Sequence, residues 1–227
     1  MRTSPGYRWS LSASAPSSRG GESAPFRRCV TSIRAVLVAC AVVFSLGGPA
    51  ISAVHAQSSW LDEPIRQWNQ PGMSVPNLQK SETEPGLDPR CMATSRPAET
   101  VSDAVIESAG WSLFNTYEAG WGISLIYGLS GHDGMCRPWA YHAFVFVDGA
   151  FAGTLAPLPS LSRTDGALGR DVRIEGDGRL GAVFIRYAAE DPLCCPSRPS
   201  VAVNYRVERT PSGPVLLVER KSEIPRG

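Results

Sequence analysis

The amino-acid sequence predicts an α+β fold: one helix packed on a meandering antiparallel β-sheet, with disulfide bridges. Three observations carry it. Ala98, Val101, Ala104, Val105 and Ala109 recur at helical spacing and are followed by Gly110 as a stop. Asp148-Gly149 sits between two apolar runs, the strongest short-range hairpin signal. Val201, Val203, Tyr205 and Val207 alternate with Ala202, Asn204, Arg206 and Glu208, the pattern of a strand with one face buried and the other in water.

In chain order, residues 1–56 read as an N-terminal extension and export signal. Arg27, Arg28 and Arg34 form a positive cluster, an uncharged run follows from Ala35 to Leu46, Gly47-Gly48-Pro49 breaks it, and Val54-His55-Ala56 supplies a cleavage site. A spanning helix needs roughly 20 apolar residues, so the rival reading, an uncleaved membrane anchor, asks more than this run offers. Leu37-Val38-Ala39-Cys40 has the composition of a lipobox, but it lies inside the apolar run rather than at its end. Arg27-Arg28 is the ordinary positive start of a signal as much as a twin-arginine one, and a start at Val30 would shorten the signal to ordinary length. The chain is therefore expected to be exported, to the periplasm or beyond.

Residues 57–90 carry Pro64, Pro71, Pro76, Pro85 and Pro89 without a sustained period and read as an extended, semi-rigid segment. Trp60, Ile65, Trp68, Met73 and Val75 are too apolar for a plain spacer and are expected to dock on the domain, residues 91–227. In that domain the helix is expected over Pro97 to Ala109, and everything after it reads as strand. Trp111 to Glu118 and Ile123 to Tyr127 are separated by Gly120 and Gly122. Ala140 to Val147 and Ala150 to Leu155 flank the Asp148-Gly149 turn, whose two-residue register sets Phe146 opposite Phe151, Phe144 opposite Gly153 and His142 opposite Leu155. Asp171 to Glu175 and Leu180 to Tyr187 flank Gly176-Asp177-Gly178, and Val215 to Arg220 returns from Pro211-Ser212-Gly213-Pro214 as an edge strand.

Composition narrows function by exclusion. After Ala56 the chain holds 16 Lys plus Arg against 20 Asp plus Glu with no basic cluster, which argues against nucleic acid as a partner. No cofactor motif is spelled, and neither Cys-x-x-Cys nor His-Glu-x-x-His is present, so no metal ligands and no catalytic residues are assigned. Glu175-Gly176-Asp177-Gly178 lacks the further oxygen ligands of a calcium loop. Four cysteines follow Ala56: Cys91, Cys136, Cys194 and Cys195. In an oxidising compartment they are expected to form two bridges; of three connectivities, the one joining Cys194 to Cys195 is disfavoured, because the adjacent pair can bridge in opposite directions, to Cys136 and to Cys91.

The densest stretch is Ser130 to Trp139, which gathers His132, Asp133, Arg137 and Trp139 on one loop. As a binding module the chain should present Trp121, His132, Asp133, Arg137 and Trp139 on one accessible surface, Trp and Arg being the usual anchors of interfaces. The alternative is a small periplasmic hydrolase or thiol-redox protein using His132, Asp133 and the nearby cysteines, which requires those groups to converge in a cleft. His142, on the aromatic face of its strand, reads as a core residue.

Gly134-Met135-Cys136-Arg137-Pro138, the Phe144 to Leu155 hairpin and Asp191-Pro192-Leu193-Cys194-Cys195-Pro196-Ser197 resemble the LppP/LprE-type bacterial lipoprotein domain over roughly Cys91 to Val207. The resemblance implies a cell-envelope domain framed by the four cysteines, its partner an envelope protein or a cell-wall or membrane component. The chain departs from the family name in having no cysteine at the cleavage site read above.

Overall fold

The computed structural model describes residues 59–225, all within the unit Ser52–Gly227; the export signal expected over 1–56 lies outside the described residues. Two antiparallel meanders dominate. The first sheet orders β1 (Ser112–Gly120), β2 (Ile123–Leu129), β3 (Ala140–Val147) and β4 (Ala150–Thr154), with the short β5 (Ser160–Leu161) pairing the other end of β3. The second orders β6 (Ala167–Glu175), β7 (Arg179–Arg186), β8 (Arg198–Thr210) and β9 (Gly213–Glu223). Among the described residues the single sheet expected from the sequence is thus two, and the fold there is mostly β with one α-helix. The physical reason is coverage. One eight-residue helix cannot cover the apolar face of so many strands, so the second meander buries its apolar face on the first.

The shared core holds Leu125, Val145 and Val147 of the first sheet with Leu180, Phe184, Val203, Tyr205 and Leu216 of the second. Tyr205, fully buried, donates its hydroxyl to the Leu155 carbonyl across the gap. The opposite face of the first sheet is buried too: Ile126, Phe144 and Phe146 pack with Val75, Ile106, Trp111 and Leu113.

Helix α1 (Val101–Ser108) starts later than expected and turns a different face inward. Thr100 caps it, with Asp103 answering in a capping box, so Pro97 lies outside the helix. Asp103 and Ile106 are buried while Val101 is 82% exposed, so the inward stripe is not the one through Val101, Ala104 and Val105. The ion pair of Arg96 to Asp103, at 2.6 Å, draws that carboxylate inward and fixes the helix rotation.

Phe146 pairs Phe151 as expected, but Phe144 pairs Thr154 and Val145 pairs Gly153, a one-residue shift at Ala152. The cause is Asn69. Its amide donates to the carbonyls of Thr154 (3.1 Å) and Leu216 (3.0 Å) and its oxygen accepts from the Thr154 N–H (2.9 Å), joining β4 to β9. Gly153, at φ 141°, bulges away to admit it; a Cβ there would lie 2.2 Å from the Asn69 Cγ. Gln67 likewise pairs both backbone groups of Val218 on β9. Of the residues expected to dock from the Pro-rich segment, Trp60 and Trp68 pack on the shared core and Val75 on the helix-side core, while Ile65 is exposed. No helix among the described residues is long and apolar enough to cross a membrane.

The bridges join Cys91 to Cys136 and Cys194 to Cys195, the connectivity disfavoured from the sequence. Each partner set is closed by local geometry. A 3₁₀ turn (Pro89–Thr94) lays Cys91 over the loop carrying Cys136, with 5.0 Å between the Cα atoms. The Cys194-Cys195 turn is folded on itself by Asp191, whose carboxylate accepts from the N–H groups of Ala188 (2.7 Å) and Ser197 (2.6 Å).

Candidate functional site

The loop between β2 and β3 is organised by Asp133. Its carboxylate accepts from the N–H groups of Met135 (2.9 Å) and Arg137 (3.0 Å) and from Arg137 Nε (2.5 Å). What burial it has opposes ionisation, but those donors outweigh it and lower the carboxyl below its ordinary range. Asp133 is therefore committed to Arg137 and does not orient His132.

His132 lies on the inner side of the same loop and is 3% exposed. Its N–H donates to the Gly86 carbonyl at 3.0 Å and its Nε2 stands 3.1 Å from Thr94 Oγ1, beneath the 85–95 segment that the Cys91–Cys136 bridge holds down. Gly131 makes that crossing possible, since a Cβ would lie 2.1 Å from the Pro85 carbonyl oxygen. His142, 5% exposed, packs edge-on against Trp111 and beside Phe144 as a core residue, and burial pushes its pKa down to about 4.

The five residues expected on one surface do not share one. Trp121, 75% exposed, stands in the β1–β2 turn, at the far end of β2 from the loop, on the order of 20 Å away along the strand. His132 is inside. Trp139 is exposed, and Arg137 remains accessible at 29% beside Asp133. Arg137 opens onto something the sequence did not disclose: a cleft of about 690 Å³ where the two sheets part, lined from the first sheet by Phe114, Tyr127 and Tyr141, from the second by Arg170, and by Tyr187 just after β7.

Arg163, from the β5–β6 connection, completes the rim. It holds φ at 61°, a conformation seldom adopted by a residue with a side chain, and is exposed. Among the described residues neither Arg163 nor Arg170 has an ion-pair partner, and no carboxylate lines the cleft. Tyr141 donates its hydroxyl to the Leu168 carbonyl at 2.8 Å, tying β3 to β6 at the cleft floor, and burial pushes its phenol up to about 12. Behind Arg163 a second depression holds Asp62, Asp165 and Arg198. There the buried Arg186 bonds Asp165 and Asp62, each at 2.7 Å. Burial would raise the Asp62 carboxyl, but its bonds to Arg186 and Arg198 hold it below its ordinary value.

Sequence reasoning missed Arg163, Arg170, Tyr141 and Tyr187 as a group. Arg170 stands just before the strand expected from Asp171, and it reaches the rim within the irregular pairing of β6 between Leu168 and Val172. Among the described residues no cluster of three or more His, Cys, Asp or Glu side chains is placed to hold a metal.

Residues 116–210 match the family model of the LppP/LprE lipoprotein, which takes in most of both sheets and both the Cys136 loop and the Cys194-Cys195 turn. The resemblance read from those loops is shown over that span. Neither a curated protein nor a solved structure matches the chain.

Proposed function

We propose that this chain, whose LppP/LprE lipoprotein region implies an exported, envelope-associated protein, is a non-catalytic binding module of the bacterial envelope, released by cleavage near Ala56. The observation that carries the reading is the division of labour in the β2–β3 loop. Its potential base, His132, is enclosed by Thr94 and Gly86, while Asp133 spends its oxygens on holding Arg137 at an open cleft. A rigid loop that buries its histidine and presents its arginine is organised for recognition.

In-cell crosslinking followed by identification of the captured envelope component tests this. Arg137→Ala should reduce capture severalfold while His132→Asn leaves it in place. Capture indifferent to Arg137, or a measurable turnover that His132→Asn abolishes, would overturn the reading. One observation favours a thiol-redox alternative: Cys194 and Cys195 are both exposed, so a reductant could reach their bridge. Redox activity lost in Cys194→Ser would move the assignment to that turn.

A further inference from the structure

We propose that the cleft between the two sheets is a binding site for an anionic saccharide, its phosphate or carboxylate groups held by Arg137, Arg163 and Arg170 and its ring faces by Tyr141, Tyr187 and Phe114. The inference rests on the binding reading above and supplies its ligand class.

Charge is the first ground. Three guanidinium groups border one concavity, and among the described residues no carboxylate lines it. Asp133 engages Arg137 through Nε, and the terminal nitrogens of Arg137 have no partner among the described residues. Arg163 and Arg170 are exposed and unpaired among the described residues although the chain is rich in acids, and Arg163 is held in a left-handed backbone conformation. Guanidinium forks are the side chains best shaped to take carboxylate or phosphate oxygens in pairs.

The wall is the second ground. A bare inorganic anion would leave the aromatic floor unused, and an acyl chain would leave the arginines unused. A ring with hydroxyls on its edge and nonpolar C–H faces uses both: aromatic sides meet its faces, and Asn115 and Ser162 stand in the lining for its hydroxyls. A cleft of about 690 Å³ lies in the range of small-molecule sites, large enough for a short run of rings. An acidic peptide has the charge but no ring faces to set against the aromatic wall; because β1 and β6, the outer strands of their sheets, border the cleft, a peptide stands among the comparison ligands.

The site is held rigidly. The Tyr141–Leu168 bond closes the floor, and the Ser162 hydroxyl donates to the Pro138 carbonyl at 2.5 Å, fixing the connection that carries Arg163 to the loop that carries Arg137. Two elements from different sheets are thereby set at a constant spacing, as recognition of two acidic groups on one ligand requires.

Calorimetric titration of the exported chain, bridges intact, tests the proposal. Trigalacturonate carries the carboxylate arm and glucose 1,6-bisphosphate the phosphate arm; maltotriose, inorganic phosphate and a tetraglutamate peptide are the comparisons. At least one acidic saccharide should bind at least about tenfold more tightly than all three comparisons, and which one binds identifies the acidic group. Arg163→Ala with Arg170→Ala should weaken it by about tenfold or more, the double lysine variant should recover part of the loss, and Arg206→Ala, on the outer face of the second sheet, should leave it unchanged. Both rim arginines are exposed, so an unchanged thermal midpoint certifies the variant's fold.

Failure of both acidic saccharides, equal binding of maltotriose, phosphate or the peptide, or affinity unaffected by the double alanine variant would each overturn the assignment. If envelope capture still depends on Arg137 after such a result, the binding module stands and only its ligand class falls.

Discussion

The two sheets of this domain are built to opposite rules. The first is buried on both faces, between the second sheet and the layer of α1 and the 75–78 segment, and residues 143–147 of its central strand β3 read Ala-Phe-Val-Phe-Val without a polar break. The second is buried on one face, and its long strand β8 alternates, with Arg206 paired to Glu219 at 2.9 Å in water. The sheet that carries the β2–β3 loop is thus clamped from both sides, and the sheet that completes the cleft is free on its outer surface. What the difference teaches is where rigidity is placed: Arg137 is presented from the clamped side.

The largest effects should fall on the clamped side. Phe144→Ala removes a fully buried ring from the contact with Trp111 and Phe151 and should cost about 3–5 kcal/mol in urea denaturation, against within about 0.5 kcal/mol for Arg206→Ala. Removing the Cys91–Cys136 bridge, which spans 45 residues, should cost about 4 kcal/mol on the chain-entropy account, and it should free the 85–95 segment to exchange its amide hydrogens. A Phe144→Ala cost no greater than that of Arg206→Ala would break the comparison.

Acid should reveal the same asymmetry. His142 belongs to the clamped sheet, and burial lowers its pKa from 6.5 to about 4. The neutral ring's contribution is intact above pH 6.5 and is lost as pH falls through about 4, because the unfolded chain takes up the proton first; the full loss is about 3 kcal/mol. Asp103 at the helix start follows. Its burial would raise it, but Arg96 and the N–H groups of Glu99 and Thr100 hold it at about 2, so its contribution is present above 3.8 and lost toward 2. His142→Gln should flatten the stability profile between pH 6.5 and 4 and leave the lower limb in place. A profile unchanged by that substitution would mean that the ring is not neutral in the fold.

The seam between the sheets ranks next. Asn69→Ala strands the Thr154 N–H and two carbonyls, and it should cost about 2–3 kcal/mol. Hydrogen exchange should accelerate at Thr154 while the β7–β8 pairing keeps its protection, since that pairing makes no use of Asn69.

How much of this was legible follows the same division. Strand β8, with one face in water, announced itself by alternation, and the turns at Asp148-Gly149 and Gly176-Asp177-Gly178 announced themselves by residue type. The clamped side was harder. A strand buried on both faces shows no alternation, so the split into two sheets left no periodic trace. The helix face was misjudged because Val101 and Val105 outweigh Asp103 on an apolar scale, whereas the capping box and Arg96 turn Asp103 inward. The hairpin register failed at Ala152 because its determinant, Asn69, lies 85 residues before the Thr154 that it bonds. For the candidate site, Arg137 was recognised as an anchor, but Arg163 and Arg170 reach it through a loop and a bulge whose placement depends on the sheets packing first.

The smallest expected effect sharpens the comparison most. The Cys194–Cys195 bridge lies in the β7–β8 connection, at the end of the freer sheet, and its sequence separation is 1. A link between neighbours closes no loop, so it removes almost no freedom from the unfolded chain. The turn has its own fastening in the Asp191 carboxylate, which gathers Ala188 and Ser197, and in Tyr187, whose hydroxyl donates to the Leu193 carbonyl at 3.1 Å. Replacing Cys194 and Cys195 together by Ser should therefore change stability by less than about 0.5 kcal/mol, whereas Asp191→Ala should cost about 1–3 kcal/mol by leaving those N–H groups without their acceptor. Thermal melts of the two variants side by side decide it. A double-serine variant less stable than Asp191→Ala would show that the bridge, and not the carboxylate, holds the turn against the cleft residue Tyr187.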